Sequence, residues 1–297
     1  MNTHKKTCRA GPFYCFSLCL ALLTLSAHSQ TREPAEREPL KAAFALSAYA
    51  HVDDQGIAYG FIPSLVAAIS ESMGRDIDIQ FMPYLRTLHA LKAGQIDITL
   101  GLRVPGSSVY LPDNIVTTTE PLLILPVSFY ALAERNIQIK NLEQSKHYRI
   151  GTVRIEKQDQ RIQRKEKSAY YYKDPYSLSK ALQAHHVDLA TMDPGSAQKI
   201  TQQLGVQLER AYDYSRIEIL ILFSRASPRI KDPVTLCQSF VEARAKTFNE
   251  DRLEKLLADT QMPYLLPYYN RIVITPALCR VTTAAQKNAE VPENTSE

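Results

Sequence analysis

Residues 84–103, YLRTLHALKAGQIDITLGLR, constrain the fold more than any other stretch, because they read as a helix, a stop and a buried strand that delivers an arginine. Leu85, Leu88, Leu91 and Lys92 fall at helical spacing, Gly94 supplies the φ > 0 residue that ends a helix, and Ile96, Ile98 and Leu100 alternate at period two. A helix running straight into a strand is half of a βαβ unit. The theme recurs: HALKAGQIDI at 89–98 is echoed by KALQAHHVDL at 180–189, each a helix end, a turn, an aspartate and a buried strand. Two such units predict an α/β chain with two similar lobes, whose strand ends can face each other across a cleft that encloses a small molecule.

The rest of the chain fits around these units. A strand is expected at 40–48, turn formers at 49–59 (Asp53, Asp54, Gly56), a helix with Leu65, Ala68, Ile69 and Met73 on one face, and a strand at 76–81. After a long connection at 104–120, the run 122–132 reads as a strand that leaves the first sheet near 127–132. A second set follows: strand 148–153, charged helix 154–167, strand 169–172, helix 177–184, strand 187–192, helix 196–204 and a returning strand at 217–223. Helices at 234–248 and 251–257 precede a polar tail. The order βα, βα, β within each half is that of parallel sheets with crossover helices.

The N-terminus reads as a segment apart. Lys5, Lys6 and Arg9 precede an apolar run of about 13 residues, short of the roughly 20 that span a bilayer, and Ala27-His28-Ser29 follows as a small-x-small site. Residues 1–29 are expected to be a cleaved secretory signal, and 30–39 a flexible leader. Cleavage removes three basic and no acidic residues, taking the formal charge from +4 to +1. A nearly neutral mature chain gives no electrostatic case for nucleic acid or an anionic membrane surface. Only Cys237 and Cys279 remain after cleavage; they can pair if the fold brings them into range, which the sequence leaves open.

In order and spacing, several segments resemble the periplasmic solute-binding proteins that serve amino acid ABC transporters, solute-binding protein family 3. They are Gly60-Phe61, the LKAGxID of 91–97, Glu120-Pro121-Leu122, Lys140-Asn141-Leu142-Glu143 with Arg149-Ile150-Gly151-Thr152, Ala181-Leu182 with Val187-Asp188 and Asp193, and 224–228 (SRASP). The resemblance covers about 40–262. It implies a type 2 periplasmic-binding-protein-like α/β fold: two lobes joined by two crossover strands, closing on ligand by a hinge. Lobe 1 is expected at 40–128 plus 222–270, lobe 2 at 129–221 and a polar tail at 271–297.

By the same resemblance Tyr49 stands where an aromatic stacks on ligand, Thr152 where a hydroxyl and backbone N–H receive a carboxylate, and Asp193 where an acid receives an amine. The sequence departs from the family after the strand at 96–100. Where Thr-x-x-Arg is usual, 104–108 read VPGSS. Arg103 and Arg86 are then the candidate cleft cations, since a guanidinium pairs bidentately with a carboxylate.

These residues also have plainer roles. Arg103 suits a salt bridge, Asp193 a helix N-cap before Pro194, Thr152 a tight turn and Tyr49 a core. Asp97 and Asp188 read as turn-fixing residues at strand starts. The mixed charges of 154–167 suit a solvated helix face, and the adjacent His185 and His186 would point about 100° apart on a helix, poorly placed to chelate one ion. No HExxH, P-loop, GxSxG or CxxC motif occurs. The expected function is capture of a small polar, amino acid-like or carboxylate solute in the periplasm by a monomer, with an ABC permease as partner and neither cofactor nor catalysis. The alternatives are a free-standing sensor module and a dehydratase-like enzyme on the same fold.

Overall fold

The computed structural model describes residues 38–103, 111–153, 169–247, 250–266 and 279–282. The expected signal segment, the helix at 154–167, the VPGSS departure and the tail beyond 282 lie outside the described residues.

The first lobe begins with β1 (Leu40–Phe44), a short hairpin of β2 (His51–Val52) and β3 (Ala58–Tyr59), α1 (Phe61–Met73), β4 (Ile77–Phe81), α2 (Tyr84–Lys92) and β5 (Ile98–Arg103). Then come β6 (Ile115–Thr118), the long β7 (Leu123–Leu132), the single turn α3 (Leu142–Ser145), β8 (Ile150–Val153) and β9 (Ala169–Tyr172). The remainder is α4 (Pro175–Gln183), β10 (Leu189–Met192), α5 (Pro194–Leu204), β11 (Leu208–Ser224), α6 (Pro233–Thr247), α7 (Glu250–Asp259) and β12 (Cys279–Val281).

Apart from the β2/β3 hairpin, the described strands form one sheet in the order β4-β1-β5-β11-β7-β10-β8-β9, with β6 on β11 and β12 on β6. β4, β1 and β5 run parallel, as do β10, β8 and β9, and the antiparallel β7/β11 ribbon joins the two triplets. Each triplet therefore has its first strand in the middle. Both faces of β1 are buried: Leu40, Ala42 and Phe44 pack with α1 and α6, whereas Ala43 packs with Leu88 and Leu91 of α2. That is why β1 reads as a continuous apolar run.

The repeated sequence theme is repeated in geometry. In the first lobe the Gln95 N–H donates to the Ala90 carbonyl at 2.9 Å, Asp97 N–H to the Lys41 carbonyl at 2.7 Å, and Lys41 N–H to the Asp97 carboxylate at 2.7 Å. In the second, His186 N–H donates to Ala181 at 2.8 Å, Asp188 N–H to Arg149 at 2.8 Å, and Arg149 N–H to the Asp188 carboxylate at 3.0 Å. Each aspartate thus sutures the start of one parallel strand to its neighbour. Asp97, fully buried, also accepts from Ser227 Oγ and from Arg229 Nε at 2.8 Å. A buried carboxylate with this many donors is a structural group, as its turn-fixing reading implies.

Four elements differ most from expectation. β1 ends at Phe44 and not near 48, because the chain bends at 48–49 and enters the β2/β3 hairpin that precedes α1. β11 begins at Leu208, about nine residues before the expected start, since its polar half is made a strand by pairing with β7 rather than by its own pattern. Its register shifts between Arg210 and Tyr212 and again between Asp213 and Ser215. Helices α4 and α5 each start two residues early, at Pro175 and Pro194, with Asp174 and Asp193 as N-caps. Cys237 of α6 and Cys279 of β12 are disulfide-bonded, Cα to Cα 6.1 Å.

Candidate functional site

The segment that follows β1 meets the start of α5. Tyr49 is fixed from lobe 1: its N–H donates to Ser47 Oγ at 3.2 Å, and its carbonyl accepts the Ile62 N–H from the first turn of α1 at 2.9 Å. Asp193 is fixed from lobe 2 as the N-cap of α5. Its Oδ1 accepts the Ser196 N–H at 3.0 Å and its Oδ2 the Ser196 hydroxyl at 2.6 Å. The Tyr49 hydroxyl donates to Asp193 Oδ1 and accepts the Gly195 N–H at 3.1 Å. Burial first, and then the Asp193 carboxylate, hold the Tyr49 phenol well above its ordinary pKa, so it stays protonated and remains a donor.

Further groups gather there. Burial, and then the Asp193 carboxylate and Tyr130, raise the half-buried Tyr264 phenol. His51 of β2 lies 5.2 Å from the Tyr59 ring, and its Nε2–H donates to the Ala48 carbonyl 3.2 Å away. Burial, and next the Lys199 ammonium of α5, lower its pKa from the ordinary value. Asp193 is thus faced by the phenols of Tyr49 and Tyr264 from distant parts of the chain, and Tyr264 in turn by Tyr130. Tyr264 and Tyr130 carry no sequence signal for this, since one lies in a short turn at 263–265 and the other within the continuously buried run 128–132 of β7.

The other candidates are placed differently. Thr152, 5% exposed on β8, has its hydroxyl bonded by Thr191 Oγ1 of β10 at 2.7 Å, two residues before Asp193. Arg103 at the end of β5 is bonded through Nε to Glu218 of β11 at 2.5 Å, its direct partner in the β5/β11 register. Arg216 reaches the other Glu218 oxygen at 3.1 Å. Arg86 is exposed on α2 and makes no hydrogen bond or ion pair among the described residues. The structure therefore brings Tyr49 and Asp193 together, sets Thr152 beside the strand that carries Asp193, and engages Arg103 with a carboxylate of its own chain. Among the described residues no three His, Cys, Asp or Glu side chains could hold a metal ion, and no helix is long and apolar enough to cross a membrane.

No protein-family sequence model matches the chain, and no curated protein matches it by sequence. Its fold, however, is shared with solved structures. A histidine kinase sensor domain with similarity to periplasmic binding proteins superposes with a TM-score of 0.59 at 15% identity, over 75% of this chain and 96% of that one. The probable amino-acid ABC transporter extracellular-binding protein of Bacillus subtilis gives 0.59 at 12% identity, over 76% and 98%. An ancestral arginine-binding protein bound to arginine gives 0.54 at 17%, over 75% and 98%. The α/β architecture is that of two-lobed periplasmic-binding-protein-like folds, as the resemblance implied.

Proposed function

We propose that this chain is a secreted solute-binding protein that captures a small polar ligand, amino acid-like or carboxylate-bearing, between its lobes. The observation that supports the reading is the meeting of Tyr49 and Asp193: the segment after β1 and the end of β10 converge on one carboxylate faced by two phenols. A carboxylate in that place offers an ammonium group a charge-assisted partner. At the other end the Thr152 hydroxyl and Arg103 are the groups for a ligand carboxylate. Glu218 stays compensated by Arg216 if Arg103 turns to a ligand, so release of Arg103 leaves no buried charge alone. Ligand-driven closure then follows from higher affinity for the closed arrangement. We assign lobe 1 to 40–128 plus 222–270 and lobe 2 to 129–221, linked through the β7/β11 ribbon, and export to the periplasm to residues 1–29.

Calorimetry against amino acids and organic acids tests this reading. Asp193→Asn keeps an acceptor for the α5 cap but removes the charge, and is expected to weaken an amine-bearing ligand at least about tenfold. Arg103→Ala is expected to weaken a carboxylate ligand by a similar factor. Wild-type affinity in both variants removes these residues from the site; no binding across the panel, with nothing co-purifying in native mass spectrometry, removes the function.

The likeness to a kinase sensor domain favours a second reading, a free-standing sensor or partner module that binds the same class of solute but feeds no permease. Permease and ATPase genes beside this one support transport; their absence supports the sensor. Unchanged ligand recovered after long incubation separates both from a dehydratase-like enzyme.

A further inference from the structure

We propose that Tyr49, Asp193 and Gly195 form a latch that holds the two lobes closed on each other without any ligand. The contact is built from groups that each lobe has already fixed. On the lobe 1 side, the Tyr49 backbone is bonded at its N–H by Ser47 and at its carbonyl by the start of α1. On the lobe 2 side, Asp193 is held by two bonds from Ser196. The Tyr49 backbone and the Asp193 carboxylate are thus placed before the lobes meet, so beyond the Tyr49 side-chain torsions the contact costs little conformational entropy.

The hydroxyl bonds both as donor and as acceptor. It donates to Asp193 and accepts the Gly195 N–H, one of the first-turn donors of α5 that has no partner within the helix. The closeness of the approach depends on the residue at 195. A Cβ there would lie 2.7 Å from the Tyr49 Cζ and from its hydroxyl oxygen, so any side chain would push the ring out of the latch. Gly195 is buried, and the phenol above it is 5% exposed. Water is therefore a poor competitor for these bonds, and each is worth more than it would be on the surface. A ligand that needs Asp193 must share it with Tyr49 or displace it, so the latch sets how much of the closed population exists before binding.

The test needs no ligand and stands apart from the identity of the solute. Wild type, Tyr49→Phe and Gly195→Ala are freed of small molecules by unfolding, dialysis and refolding with the disulfide intact, then compared by small-angle X-ray scattering. Tyr49→Phe keeps the ring and deletes the hydroxyl; Gly195→Ala leaves the hydroxyl and blocks its approach. A compact wild type with both variants expanded, the open-to-closed ratio rising about tenfold, supports the latch. Superimposable curves for all three, or an already expanded wild type, overturn it. If Gly195→Ala fails to fold by circular dichroism, hydrogen exchange in Tyr49→Phe decides. Loss of protection at the Gly195 amide, with protection kept at the Ala197 amide that bonds to the Asp193 carbonyl at 3.0 Å, supports the latch, and unchanged protection at Gly195 refutes it.

Discussion

Gly94 and His185 occupy the same place in the two lobes, one residue past a helix end, and reach the left-handed region by different means. Gly94 adopts φ 71° without a Cβ, and a Cβ there would lie 2.4 Å from the Ala226 carbonyl oxygen. His185 adopts φ 55° with its side chain directed to Arg135, whose Nη1 is 3.4 Å from its Nδ1. A non-glycine residue in this region is held against its own sterics. Gly94→Ala is therefore expected to destabilise the fold by at least about 2 kcal/mol, from strain together with the clash. His185→Gly should instead stabilise it by about 0.5–1 kcal/mol. Urea denaturation midpoints check both; equal midpoints for Gly94→Ala and wild type would show that the Ala226 loop yields freely. The sequence announced Gly94 as a stop because only glycine makes that conformation cheap. His185 falls in the turn after the helix at 177–184 only through the echo of that theme, since a histidine does not itself mark a left-handed position.

At the scale of elements, each lobe closes its parallel strands with one aspartate, and the second lobe exposes that device to titration. Asp188 accepts the Arg149 N–H at 3.0 Å and the Arg149 guanidinium at two oxygens, both 3.0 Å, and Arg135 adds a further pair at 3.2 Å. The Arg149 side-chain bonds, ahead of the opposing effect of burial, hold the Asp188 carboxyl at about 2, below its ordinary value of 3.8. The folded chain thus binds fewer protons here than the unfolded one. The resulting stabilisation is complete above about pH 4 and is lost as pH falls towards 2. Both arginines are well solvated, so its size is about 1 kcal/mol. Asp188→Asn should lower stability by that amount at pH 7 and flatten the acid limb of a pH-stability profile; an unchanged limb would assign acid unfolding to other carboxylates. The pairing of Asp97 and Asp188 with strand starts was visible in the repeated motif. The nine mostly polar residues 208–216 that open β11 were not, because their strand is imposed by β7.

For the molecule as a whole, the disulfide joins α6 to the last described strand over a sequence separation of 42. Loop-closure entropy for that span gives an upper figure of about 4 kcal/mol. Cys237→Ser with Cys279→Ser is expected to lower stability by 2–4 kcal/mol, about the typical range, with reducing agent reproducing the loss in wild type. A melting temperature indifferent to both would mean that β12 is held by its pairing with β6 alone.

Local periodicity determined a good deal by itself: the apolar alternation of β5, the helical face of α2, the glycine stop and the aspartate at each strand start follow from 3.6- and 2-residue repeats that neighbouring residues carry. With the repeat of that theme, they specify two α/β lobes. Tertiary structure alone decided which polar side chains met. Arg103 faces Glu218 across 115 residues of chain, and Tyr49 faces Asp193 across 144. Such pairings depend on strand register and on where helices begin in space. An arginine at a strand end reads the same whether its partner is a ligand or a glutamate, and only the fold supplies the glutamate.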